Sequence, residues 1–151
     1  MKILLAIDES KFSDAALQMI IAQTRPQDTE VRVLQVVEPM EIIFPEGKWE
    51  WGTSRDLDEV RKKKLQQAQD LVAAAAEKLR AAGFHNVDTA VREGDVRAEV
   101  IDAAAEWRAD LIVLGSQGRK GLDRFLLGSV SEFVARHARC SVEIVRLPAN
   151  P

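Results

Sequence analysis

The run Gly115-Ser116-Gln117-Gly118-Arg119-Lys120-Gly121-Leu122-Asp123-Arg124-Phe125-Leu126-Leu127-Gly128-Ser129 carries the residue types of an anion site. Gly115 and Gly118 permit positive φ, so successive backbone N–H groups can point into one concavity. Gly128-Ser129 then opens a helix, and Ser129-Val130-Ser131-Glu132 has the S-x-x-E spacing of a capping box. A helix N-terminus with unbonded N–H groups, small residues and two hydroxyls suits phosphate. A glycine pair alone would be read as a chain turn. Arg119, Lys120 and Arg124 in the same loop favour an anion.

Two further clusters also follow apolar runs. Asp8-Glu9-Ser10 comes after Ile3–Ile7, and Val36-Val37-Glu38 closes Val31–Val37. Continuous apolar runs of this length mark strands covered on both faces. Ser10 or Ser13 can cap a helix carrying Phe12, Ala16, Leu17, Ile20 and Ile21, with Pro26 as its stop. Met40 to Ser54, with two Trp, one Pro and two Gly, is irregular by composition. A long helix from Leu57 to Ala82 follows, stopped by Gly83. Val87–Val91 alternates as a strand nearer the sheet edge, and Asp95 caps a helix bearing Val96, Val100, Ile101, Ala104 and Trp107. Leu111–Leu114 is a fourth strand. A helix with Val130, Phe133 and Val134 and a strand with Val142, Ile144 and Val145 complete the chain.

The alternation β-α-β-α-β-α-β-α-β predicts an α/β fold: one open parallel five-stranded sheet with helices on both faces, in a single domain over 1–151. In such sheets ligands sit beyond the carboxyl ends of the strands, where strand order reverses. All three polar clusters fall there.

Composition narrows the function classes. The chain has 151 residues, 21 basic against 24 acidic side chains and a net charge of −3, which leaves no basic footprint for nucleic acid. One Cys excludes an internal disulfide and a thiolate metal cluster, and fits a reducing, cytoplasmic setting. No apolar run approaches the roughly 20 residues of a membrane span. Asp8 and Glu9 end the N-terminal apolar run too early for a signal sequence.

The spacing Gly115-x2-Gly118-x9-Gly128-Ser129 resembles the nucleotide-binding signature of the universal stress protein family, and it lies between strand four and helix four, where that family has it. Ile3-Leu4-Leu5-Ala6-Ile7-Asp8-Glu9-Ser10, Gly94-Asp95 and Ser141-Val142-Glu143-Ile144-Val145 match family positions too. The resemblance implies a Rossmann-like fold of the adenine nucleotide alpha hydrolase type, strand order 3-2-1-4-5, and a dimeric, ATP-binding stress-response protein. It implies a nucleotide site of Ala6, Asp8, Ser10, Val36, Gly115, Gly118, Arg119, Gly128, Ser129, Val130 and Ser131. Asp8 would face the nucleoside, Val36 would offer backbone groups to the adenine edge, and Gly115 would lie by the ribose. Gly118, Gly128, Ser129, Val130 and Ser131 would hold the phosphates of ATP, ADP or AMP, with Mg²⁺ as counter-ion. One departure is Gln35, where many relatives have His.

Remaining residues take simpler readings. His137 is a dipole partner at a helix C-terminus, His85 has no role, Cys140 fills space between helix and strand, and Trp107 is core. Arg61-Lys62-Lys63-Lys64 is a solvated helix face among acidic residues. Trp49 and Trp51 cover a crevice or a partner, or fill the core. An enzyme that activates a substrate with ATP is the alternative, but the chain lacks an H-I-G-H-like His pair and an S-G-G-x-D-S loop. A flavodoxin-like redox protein would place its loop after strand one. The last strand, Ser141 to Leu147, is β-branched and lies at a sheet edge in this order, so it predicts a homodimer through Val142, Ile144 and Val145.

Overall fold

A computed structural model describes residues 1–39, 53–118 and 126–147. The elements are β1 (Lys2–Ala6), α1 (Lys11–Gln23), a 3-10 turn (Pro26–Asp28), β2 (Glu30–Val37), α2 (Thr53–Ala81), β3 (Asn86–Glu93), α3 (Val96–Trp107), β4 (Leu111–Gly115), α4 (Ser129–His137) and β5 (Ser141–Val145). All strand pairs are parallel, in the order β3-β2-β1-β4-β5. The expected topology is observed.

Each face of the sheet has its own core. Ile3, Leu5, Val31, Val33 and Val113 point to the face covered by Ala16, Leu17 and Ile20 of α1 and Val72, Ala75 and Leu79 of α2. Leu4, Leu34, Val36, Ile112 and Leu114 point to the other, beneath Val100, Ala103 and Ala104 of α3 and Val134 of α4. Period-two alternation sorts each strand's residues between the two faces. Both faces are covered, so the central strands read as unbroken apolar runs.

Several local expectations change. Of the segment read as irregular, residues 40–52 lie outside the described residues, Trp49 and Trp51 among them, whereas Thr53 and Ser54 already belong to α2. That helix ends as expected: Gly83 takes φ +98° and Phe84 folds behind it, fully buried. Trp107 is only half-buried. Its ring packs on the core edge with Lys2 Nζ 5.3 Å and Arg32 Cζ 4.7 Å from its centroid, so cations finish what burial begins.

Candidate nucleotide site

The strands end at different heights, and that difference makes the site. Ala6, the last residue of β1, pairs with Leu34 and Leu114, whereas β2 runs on to Val37 beside β3. Ile7 N donates to Leu34 O at 2.9 Å, so the backbone groups of Leu34 face β1. Val36, two residues on, turns its N–H and C=O to that same side, where β1 has ended. Strand order reverses at β1, between β2 and β4. A cavity of about 690 Å³ opens at this point, within the size range of small-molecule sites.

Ala6, Asp8, Val36, Gly115, Gly118, Ser129, Val130 and Ser131 line that cavity. Ser10 and Gly128 do not line it, and Arg119 lies outside the described residues, as do Lys120 and Arg124. Asp8 is held from two sides: its Oδ1 accepts from Ser10 N at 2.8 Å and from Ser13 Oγ at 3.0 Å, while Asp8 N donates to Ser13 Oγ at 2.8 Å. Ser10 therefore stands at the α1 cap without a side-chain cap bond, and neither serine caps the helix as expected. The carboxylate orders the turn instead.

The glycine loop differs from expectation in two respects. Positive φ occurs at Gly83 and Gly94 among the described glycines, not at Gly115 or Gly118. These two are glycines for close approach. A Cβ on Gly115 would stand 2.5 Å from Phe12 Cβ, and one on Gly118 would stand 2.9 Å from Asp8 Oδ2. The capping box is also absent. Gly128 is the cap residue of α4, Ser129 is its first helical residue, and Glu132 reaches forward to Arg136 at 2.9 Å.

Tertiary bonds decide that start. Gly128 N donates to Ser116 O at 2.7 Å, and the buried Ser131 hydroxyl lies 2.9 Å from Ser116 O and 3.0 Å from Gly128 O. Gln117 Nε2 donates to Leu126 O at 3.0 Å, and Ser116 N to Val145 O at 2.8 Å. The two ends of the loop are thus tied together, and the first turn of α4 is held against the cavity. Its unbonded N–H groups carry the positive end of the helix dipole.

Sequence reasoning missed one wall. Lys64 and Gln67 of α2 line the cavity, with Glu9, Gln35 and Glu38. Their spacing places them on the same stripe as the buried Ala68 and as Leu71, the signal that a reading of Lys62–Lys64 as solvated charge passed over. Arg61 holds this part of α2 to the sheet. Its Nε and Nη2 donate to Glu93 Oε2 and Oε1 at 2.8 and 2.6 Å, and this fork keeps the Glu93 carboxyl below its ordinary range. Asp95 caps α3 as expected, accepting from Ala98 N at 3.3 Å. Far from the cavity, His137 Nδ1 lies 2.9 Å from Phe133 O at the end of α4, and burial pushes the Cys140 thiol up.

Charge is divided along the cavity. Asp8, Glu9 and Glu38 follow β1 and β2, while the α4 N-terminus follows β4. An occupant with hydrogen-bond donors at one end and an anion at the other fits this division. Among the described residues no group of three His, Cys, Asp or Glu side chains converges to hold a metal ion, and no helix is long and apolar enough to cross a membrane.

Comparison with known proteins agrees with this geometry. The model of the Universal stress protein family matches residues 1–146. Universal stress protein MJ0531 of Methanocaldococcus jannaschii is 34% identical over 149 residues, covering 97% of this chain and 82% of that protein. Universal stress protein Sll1388 of Synechocystis sp. is 31% identical over 150 residues, covering 96% and 97%. Among solved structures, hypothetical protein MJ0577 superimposes with a TM-score of 0.83 at 26% identity, over 99% of this chain and 97% of that one. A universal stress protein in complex with cAMP shares the fold at TM-score 0.69 and 22% identity, covering 96% of each chain. An Arabidopsis thaliana family protein with AMP bound does so at 0.67 and 18%, covering 99% of this chain and 93% of that one. With a family match over nearly its whole length and the glycine loop between β4 and α4, this chain belongs to the universal stress protein family.

Proposed function

We propose that the protein is an ATP-binding regulatory protein of the stress response, working as a nucleotide-dependent switch rather than as a catalyst. The observation that carries this reading is the cavity at the ends of β1, β2 and β4, with Val36 backbone groups at one end and the α4 N-terminus at the other. Val36 N–H and C=O meet the acceptor and donor of the adenine edge, and Asp8 accepts from the nucleoside. Gly118, Ser129 and Val130 bring backbone N–H groups to the phosphates. Ser131 acts differently: its hydroxyl proton goes to carbonyl oxygens, and it shapes the site from beneath. Mg²⁺ bound with the phosphates would serve as their counter-ion rather than occupy a fixed protein site. Fold neighbours with AMP and cAMP support an adenine nucleotide as occupant.

The same reading makes the protein a cytoplasmic homodimer. β5 is an edge strand, and Val145 turns its carbonyl to β4 by accepting from Ser116 N. Val142 and Ile144 therefore turn their backbone groups outward, as a template for a second copy. Val145 itself is 3% exposed and belongs to its own core, so the outward pair carries the contact.

Mass spectrometry of ligand released from the denatured purified protein, with calorimetric titration of ATP, tests the reading. Adenine nucleotide in the release and saturable ATP binding are expected. Absence of both refutes it.

A further inference from the structure

Gln117 is buried in the cavity wall, directly before Gly118. Its Nε2 donates to Leu126 O at 3.0 Å, across nine residues of chain. A carbonyl only accepts, so the amide nitrogen belongs on this side. Leu126 is 62% exposed, and without this bond its carbonyl would turn to water. The backbones meet as well: a Cβ on Gly128 would stand 3.2 Å from Gln117 Cα. Residue 117 thus touches the returning chain at two points, close to both Gly118 and the start of α4.

Ser116 already holds the helix start, because its carbonyl accepts from Gly128 N at 2.7 Å and from Ser131 Oγ at 2.9 Å. The fold keeps α4 in place without the Gln117 side chain. What that side chain adds lies two residues earlier, where the chain approaches the α4 cap. We propose that Gln117 is a positioning residue for the phosphates, whose amide sets the spacing between Gly118 N–H and the α4 N-terminus before the ligand arrives. This rests on the nucleotide reading above and deepens it. Backbone donors hold an anion best when their separation is fixed in advance, since ordering them during binding costs affinity. Ser129 and Val130 take their places from the bonds to Ser116, and Gly118 takes its place from the chain that Gln117 fastens. The base and ribose contacts proposed at Val36 and Gly115 do not depend on this fastening, so its loss falls on the phosphates.

Calorimetry on the purified full chain tests this with ATP and with adenosine, which has the base and ribose but no phosphate. Gln117→Met keeps the length and loses the donor. ATP should weaken about fivefold, which is what one neutral hydrogen bond is worth, and adenosine less than about twofold. The ligand-free melting temperature should stay near that of wild type. In NMR spectra of wild type, the Leu126 carbonyl carbon should keep its hydrogen-bonded shift when ATP is added. A change to the unbonded value would mean that Gln117 leaves Leu126 for the phosphates, and overturns the proposal. Unchanged ATP affinity, or equal weakening of ATP and adenosine, overturns it while leaving ATP binding intact. If adenosine does not bind wild type, the ATP loss at an unchanged melting temperature decides. Should Gln117→Met melt far below wild type, Gln117→Leu replaces it, and the same result there makes the residue structural and overturns the proposal. Failure of wild type to bind ATP overturns both this proposal and the reading beneath it.

Discussion

The Asp8 carboxylate lies against the α-carbon of Gly118: a Cβ built on that glycine would stand 2.9 Å from Asp8 Oδ2. The carboxylate cannot swing aside without cost, because its Oδ1 is bound by Ser10 N and Ser13 Oγ. Gly118→Ala should therefore displace both the loop and Asp8. ATP affinity is expected to fall about tenfold, or roughly 1.4 kcal/mol, by calorimetry. Unchanged affinity in a folded variant would separate this loop from nucleotide binding.

Gly115 answers to a different neighbour. A methyl group there meets Phe12 Cβ at 2.5 Å and the Phe12 backbone carbon at 2.9 Å, so α1 would be forced off β4. Gly115→Ala should destabilise the fold by about 2 kcal/mol, within the usual range for overpacking. Urea denaturation measures this. A wild-type midpoint would mean that α1 shifts without resistance.

The Asp8 carboxylate accepts from Ser10 N and Ser13 Oγ and is thereby engaged in ordering the turn after β1. ATP turnover should run far below the roughly 10 per second of a median enzyme. A steady rate near that value, abolished by Asp8→Asn, would instead make this an ATPase.

Ile144→Pro tests the dimer cleanly, because the Ile144 backbone is turned away from β4 and its N–H is not part of that ladder. The variant should fold and run as a monomer in light scattering, with wild type a dimer at micromolar concentration. A folded variant that remains dimeric locates the interface elsewhere.

The Arg61–Glu93 fork sets a pH dependence on the α2 wall. Glu93 is lowered in the folded state, first by the Arg61 hydrogen bonds, so its contribution is present above its unfolded pKa and is lost as pH falls through the folded one. That window lies below about 4.3, the ordinary Glu value. Stability of wild type should drop more steeply there than that of Glu93→Gln. Parallel melting curves for the two proteins would show the fork to be too solvent-screened to matter.

The succession of strands and helices and the position of the glycine loop were legible because they depend on local pattern, whereas the strand order came only from the family resemblance. Apolar runs such as Ile3–Ile7, the helical stripe of α2 and the stop at Gly83 each act over a few residues of chain, where period and backbone freedom suffice. What the glycines are for was not legible. Gly115 and Gly118 read as turn residues, yet one makes room for Phe12 and the other for Asp8, each more than 100 residues away in sequence. Ser129 read as a cap, but the bond from Gly128 N to Ser116 O sets the helix start. Lys64 read as solvated surface, yet with Gln67 it lines the cavity where α2 lies across the ends of the strands. Local propensity specifies which elements form. Only packing decides which backbones must approach and which polar atoms are buried together, because those demands arise between parts of the chain that sequence distance keeps apart.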